Sequence, residues 1–255
     1  MGQLIKIDFA SQRPDIKTHV KDYWTKRSDG FFTLREDELK SSISSRWLNE
    51  IERLTDKKEC LDILDAGCGT GFFEVLLGTR GHCVTGIDLT PSMISKANEL
   101  IAQYSLDADR VKCICMDAES LSFADETFDL VISRNLTWTL PHPVEAYREW
   151  NRVLKIGGLL LNFDAEYAKG AHNLNSRKNL AHKDISDELK EECHSIYHML
   201  SMSSLDRPEW DCSVLQSLSY DEIEADKDFG SRIYTAIDEF YTPDKMFCIR
   251  ARKLS

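Results

Sequence analysis

The chain has 255 residues, 42% hydrophobic and 29% charged, the composition of an ordinary globular protein with room for one large α/β domain and a lid. A formal net charge of −11 disfavours phosphate backbones, so no nucleic acid is expected as a partner. Apolar runs of only a few residues rule out a membrane span, and Met1–Lys6 lacks both an apolar leader and a myristoylation motif. The expectation is a cytoplasmic monomer or homodimer with no membrane partner.

Up to about residue 57 the pattern is helical and polar, with aromatics at Tyr23, Trp24, Phe31, Phe32 and Trp47. Strands and helices then alternate. Strands are expected over 61–66, 82–87, 110–115, 128–133 and 157–164, with helices near 71–79, 91–103 and 143–154. Pro91 and Pro143 suit early helix positions. This alternation predicts a doubly wound, mostly parallel sheet with right-handed crossovers. Lys155-Ile156-Gly157-Gly158 punctuates the last of these helices before the buried run Leu159–Phe163.

Beyond 164 the rhythm breaks. Residues 172–203 read as one or two polar helices, and 207–218 as a helix with Asp206 and Pro208 at cap positions. The segments 220–226 and 245–252 read as strands that pair as an antiparallel edge, flanking a helical stretch near 230–240. The expected divisions are a helical cap over 1–57, a core over 58–165, a helical lid over 166–206, and a C-terminal part of the core over 207–255.

The charge is uneven: residues 184–239 hold fifteen Asp or Glu against four Lys or Arg, the whole of the imbalance. A solvated acidic surface explains this most simply. The eight cysteines, in a large chain with no leader, read as buried thiols and not as a disulfide framework. Cys193, His194 and His198 share a helix face, but no second cluster completes a zinc site, so no metal is expected.

The most informative segment is Leu61–Gly71, an apolar strand running through Asp65 into glycines at 67, 69 and 71. A strand that enters a glycine turn and then a helix start is a seat for a nucleotide-like ligand, because the helix amides are free. The dinucleotide pattern G-x-G-x-x-G fails at Phe72 and at Glu74, which argues against a nicotinamide cofactor. A carboxylate ahead of the turn suits a ligand bearing an ammonium group. Asp88 ends the next strand, 23 residues beyond Asp65, where an acid grips a ribose diol, and Asp117 ends the third. The three acids are expected to converge beyond the strand ends.

The motifs Asp65–Gly71, Gly86–Met93, Asp117-Ala118-Glu119, Phe128–Asn135 and Val153–Gly158 resemble class I S-adenosyl-L-methionine-dependent methyltransferases, in the small-molecule branch called type 11 or UbiE-like. The likeness covers about residues 58–164, with Ile156 replacing the usual proline. It implies a Rossmann-like seven-stranded sheet, mostly parallel, with one antiparallel edge strand and helical lid segments. It also implies S-adenosyl-L-methionine as cofactor and S-adenosyl-L-homocysteine as product. By the same resemblance, Asp65, Gly67, Cys68, Gly69 and Gly71 form the turn at the methionine part, and Asp88 takes the ribose. Leu89 and Met93 flank the adenine, Asp117 and Ala118 bind its edge, and Arg134 and Asn135 line the methyl side. Tyr23 closes over the cofactor, where an aromatic suits a sulfonium cation.

A sulfonium methyl is already strongly electrophilic, so alignment of the acceptor is the main requirement. Candidate proton acceptors near the strand ends are His142 and Asp164, with His19 in the cap. Trp24, Trp138, His142 and Tyr167 are the expected wall of a pocket for a small-molecule methyl acceptor. A cofactor-binding accessory protein without transferase activity would carry the same cofactor motifs.

Overall fold

Burial alternates along the strand Asp62–Ala66 (β1), with Ile63 packed into one face of the sheet and Leu64 into the other. The same double-sided burial runs through Cys83–Asp88 (β2), Phe128–Arg134 (β4) and Leu154–Asp164 (β5), as strands covered by helices on both faces require. The structure, a computed structural model, describes residues 16–56, 60–167, 169 and 179–254. With Val111–Cys115 (β3), Tyr220–Asp226 (β6) and Phe247–Lys253 (β7), these strands form one seven-stranded sheet in the order β3-β2-β1-β4-β5-β7-β6.

β1 to β5 are mutually parallel, as the alternation predicts. The antiparallel strand is β7, one place in from the rim, with β6 pairing antiparallel outside it. The two late segments therefore do pair with each other. Strand order reverses between β1 and β4, since the chain moves outward from β1 through β2 to β3 and then returns. Such a switch point opens a crevice beyond the strand ends.

Helices Ser42–Leu54 (α2), Phe72–Gly78 (α3), Pro91–Gln103 (α4) and Phe229–Ile233 (α8) cover one face of the sheet. Trp47 lies at the centre of that layer, fully buried, with edge contacts to Phe73 and Phe163 at 5.3 and 4.9 Å between centroids. Pro143–Val153 (α5) and Glu209–Ser217 (α7) cover the other face through Tyr147, Trp150, Val214 and Leu215. A third cluster lies beyond the strand ends. There Ile16 and Tyr23 of Ile16–Lys40 (α1) meet Cys193, Ile196 and Tyr197 of Asp187–Met199 (α6), together with Trp138.

Local chemistry explains the helix boundaries. The Ser41 hydroxyl accepts from the Ile43 amide at the start of α2, and Ser186 accepts from Leu189 at the start of α6. Pro91 and Pro143 occupy the first turns of α4 and α5, as expected.

Three expectations need adjustment. Lys155–Gly158 is not a separate turn: β5 begins at Leu154, directly after α5, and a register shift against β4 absorbs the glycines. The helix near 230–240 stops at Ile233, and the chain then runs irregularly to β7. Within the expected helical stretch 172–203, α6 spans Asp187–Met199 and a 3-10 turn follows at Ser201–Ser204, while residues 172–178 lie outside the described ones. Among the described residues, no helix is long and apolar enough to cross a membrane.

Candidate functional site

A cavity of about 490 Å³ opens at the switch point, within the range of small-molecule sites. Its floor is the row of strand ends. β1 contributes Asp65 and the turn residues Gly67, Cys68 and Gly69; β2 contributes Asp88 and Leu89. Beyond β3 come Asp117 and Ala118, beyond β4 Arg134 and Asn135, and Met93 projects from α4. The roof is one stripe of α1, on which Tyr23, Trp24, Arg27, Phe31, Arg35 and Glu38 recur at helical spacing.

Twelve of the thirteen expected cofactor residues therefore line one cavity. Gly71 does not. It starts α3 in the left-handed region at φ 91°, and a Cβ there would approach the Ala97 backbone of α4 to 3.1 Å. Its glycine is required by the turn and by helix packing.

The acids sit as a ligand seat would need. Asp88 accepts from the amides of Gly69 at 3.2 Å and Thr90 at 2.8 Å, which ties the first turn to the second strand end. Asp65 is 2% exposed, and one of its oxygens has no hydrogen-bond partner among the described residues. Burial pushes its carboxyl up to about 8, helped by the charge of Asp88 and opposed by Glu74 and Arg134. Glu74, fully buried beneath the turn, is also held well above the usual carboxylate range, first by burial. An unpartnered buried acid oxygen fits an ammonium group, which would restore the Asp65 charge. Asp117 pairs with Lys17 of α1 at 2.6 Å, and Lys17 also reaches Glu119 at 2.5 Å, closing that end of the roof onto the floor.

Arg134 is a different kind of residue. Its guanidinium lies over Trp47 and Phe72 at 4.6 and 4.9 Å and pairs with Glu38 of α1 at 3.0 Å. Glu38 also binds Arg35 at 2.5 Å, and although burial opposes its charge, the two arginines pull its carboxyl down to about 2. Arg134 thus anchors the roof as well as lining the cavity. Asn135, left-handed at φ 58°, accepts from the Tyr167 hydroxyl at 3.1 Å.

Trp24, Trp138 and Tyr167 line the cavity as expected, and Tyr197 joins them, 4.9 Å from Trp138 between ring centroids. His142 does not. Glu119 accepts from its backbone amide at 2.6 Å and lies 3.0 Å from its Nδ1, which ties the ring to Glu119. Asp164 is also absent from the lining. It is fully buried against Arg207 at 2.9 Å and accepts from the amides of Trp138 and Ala165 and from the Thr137 hydroxyl. Its geometry is that of a brace beneath the 3-10 turn Thr137–Thr139. His19 is exposed on α1.

Cys193 faces Tyr23 and Tyr197 in the roof cluster, while His194 and His198 meet edge to face with their Nε2 atoms 3.3 Å apart. A different trio comes together: Cys68, Glu74 and Cys113 hold their donor atoms within 4.8 Å of one another, buried under the turn. Gly86 makes the room, since a Cβ there would meet Glu74 Oε1 at 2.2 Å.

Residues 64–162 match the profile of a methyltransferase domain family. This segment is similar to a methyltransferase domain. Around that domain, the chain is 36% identical over 96 residues to phosphatidylethanolamine N-methyltransferase of Cereibacter sphaeroides, covering 38% of this chain and 46% of that protein. It is 29% identical over 154 residues to the ubiquinone/menaquinone biosynthesis C-methyltransferase UbiE of Zymomonas mobilis, covering 60% and 63%. The chain thus spans about half the length of relatives it matches. The fold is similar to that of a Methanococcus maripaludis protein described as an S-adenosyl-L-methionine-dependent methyltransferase, at TM-score 0.60 and 18% identity over 91% of this chain and 94% of that one.

The matched segment supplies the floor of the cavity. Much of its roof and far wall comes from residues outside the matched segment, among them those of α1, α6 and the stretches 179–182, 227–234 and 240–246. Sequence reasoning missed Arg27, Glu38, Glu74, His182 and Tyr197. Only Glu74 left a local sign, as an acid in the otherwise apolar run Phe72–Leu77.

Proposed function

We propose that this protein transfers a methyl group from S-adenosyl-L-methionine to a small organic acceptor bound beneath α1. The observation that carries this reading is the division of the cavity into two walls. One has acids at three successive strand ends and a glycine turn, and the other is aromatic, built from Trp24, Trp138, Tyr167 and Tyr197. In this reading the amides at Gly67 and Gly69 with Asp65 hold the methionine part, Asp88 holds the ribose, and Asp117, Ala118, Leu89 and Met93 surround the adenine. When bound, the cofactor supplies the electrophilic methyl.

The chain's own task is then alignment and exclusion of water. Placing the acceptor atom in line, about 3–3.5 Å from the methyl, is worth roughly 7–11 kcal/mol of barrier. Tyr23 and Trp24 packed edge to face at 5.2 Å, in one apolar cluster with Trp138, give a stiff wall for that purpose. We assign α1 and α6 as the lid. With His142 and Asp164 tied to Glu119 and Arg207, positioning and not a general base drives the transfer. The names of the relatives, a phosphatidylethanolamine N-methyltransferase and a ubiquinone/menaquinone biosynthesis C-methyltransferase, support an acceptor of low molecular mass.

The test has two parts. Calorimetric titration with S-adenosyl-L-homocysteine measures cofactor binding, and methyl-labelled cofactor incubated with a metabolite extract measures transfer. Saturable binding with label in a small-molecule product supports the proposal. Binding with no labelled product favours an accessory role instead, and no binding removes both.

A further inference from the structure

The charges in the cavity are segregated. The acids Asp65, Asp88 and Asp117 lie along the strand-end floor, whereas three guanidiniums, Arg27, Arg35 and Arg134, lie under or against α1. Glu38 is the one carboxylate placed among them, and it is already shared between Arg35 and Arg134. The other charged residues of the lining are Lys17, paired with Asp117, Lys227, paired with Glu209, and Lys21, Asp228, Asp244 and Lys245.

Arg27 is left over. It is 7% exposed and lines the cavity, and among the described residues it has no carboxylate within ion-pair distance. Its contacts there are neutral: the Tyr23 hydroxyl at 3.5 Å and Nδ1 of His182 at 3.4 Å. Burial, with Arg27 and Arg35 beside it, pushes His182 down to about 3, so the imidazole adds no charge of its own. A buried guanidinium without a counter-ion is costly, and an Arg fork matches a carboxylate in two parallel hydrogen bonds.

The cofactor does not remove this imbalance. S-adenosyl-L-methionine carries a sulfonium and an ammonium against one carboxylate, so it brings a net positive charge into the cavity. Its charged end has its natural partners on the floor, at Asp65 and the glycine amides, while the contacts of Arg27 are all to roof residues.

We propose that the methyl acceptor is an organic acid whose carboxylate is seated on Arg27, with His182 beside it. The proposal rests on the cavity being the methyl-transfer site, and it narrows the acceptor from small organic molecules in general to anionic ones. Beside an aromatic wall, the fitting class is a carboxylic acid with an apolar or aromatic body.

The test uses protein saturated with S-adenosyl-L-homocysteine, so that the cofactor's own carboxylate is already placed. A panel of carboxylic acids and their matched primary amides, among them benzoate with benzamide, phenylacetate with phenylacetamide, and hexanoate with hexanamide, is titrated by calorimetry and thermal shift. The expected result is that acids bind at least tenfold more tightly than their amides. Arg27→Met abolishes the preference with unchanged affinity for S-adenosyl-L-homocysteine, and Arg27→Lys restores part of it. His182→Ala, a milder change, reduces the preference should Arg27→Met fold poorly. A panel in which acids show no advantage, including one in which nothing binds, overturns the proposal. So does an Arg27→Met protein that loses tenfold in S-adenosyl-L-homocysteine affinity while binding 5′-methylthioadenosine normally, since the seat then belongs to the cofactor. Failure of the methyl-transfer reading shows separately, as wild-type protein that does not bind S-adenosyl-L-homocysteine at all.

Discussion

Replacing Asp164 by Asn separates a brace from a catalytic acid. In the folded protein Asp164 Oδ2 accepts from the Trp138 amide at 3.0 Å, from Arg207 at 2.9 Å and from the Thr137 hydroxyl, while Oδ1 accepts from the Ala165 amide at 2.8 Å. Both oxygens face donors, so an Asn amide group must direct its NH₂ at one of them whichever way it is turned. Arg207, with a side chain 2% exposed, keeps Asp211 at 2.8 Å but loses its second charge. Breaking a buried ion pair by removing one partner costs about 3–5 kcal/mol. At roughly 2–4 °C per kcal/mol for a chain of this size, the melting temperature should fall by about 6–20 °C. The assay is urea and thermal unfolding followed by circular dichroism, together with calorimetry of S-adenosyl-L-homocysteine well below the new melting temperature. Affinity should be retained once the protein is folded. An Asp164→Asn protein within about 1 kcal/mol of wild type refutes the bracing role, because surface-like substitutions are the ones that cost so little.

Three further outcomes are expected. Asp88→Asn should weaken S-adenosyl-L-homocysteine by at least tenfold, since charge-assisted hydrogen bonds are worth about 1.5–3 kcal/mol each; an unchanged dissociation constant would remove the ribose assignment. With its carboxyl near 8, Asp65 carries a proton at pH 7, and an arriving ammonium group should expel it. Binding enthalpies measured in phosphate and in Tris should therefore differ by most of one proton's ionisation heat, and equal enthalpies would contradict the seat. Glu38 has its carboxyl held at about 2 against an ordinary 4.5, so the folded state prefers it ionised. Its contribution is complete above about pH 4.5 and is lost as the pH falls toward 2. Glu38→Gln should flatten that acid limb in urea midpoints taken between pH 6 and 2.5, and an unchanged slope would show that Arg35 and Arg134 do not depend on it.

Much of the floor of the site was legible because its information is local. A strand that ends in an acid and turns through glycine is written in consecutive residues, and Asp65, Asp88 and Asp117 needed only the parallel order of β1, β2 and β3 to meet. The two proton-handling candidates misled for a related reason. His142 and Asp164 stand beside the right strand ends, but their direction is set by Glu119, 23 residues away in sequence, and by Arg207, 43 residues away. No local pattern reports such a partner.

By itself, then, the sequence determined the alternating core, the glycine turn and the acids that line the cavity floor, because period-2 burial and turn chemistry act over a few residues. The tertiary structure alone decided which side chains face that floor. Glu38 lies 96 residues from Arg134, and Arg27 lies 155 from His182, and each pair meets only when α1 folds over the strand ends. A roof assembled from distant segments has no periodicity of its own. Its charge, and with it the class of molecule it admits, emerges only from the contacts that packing enforces.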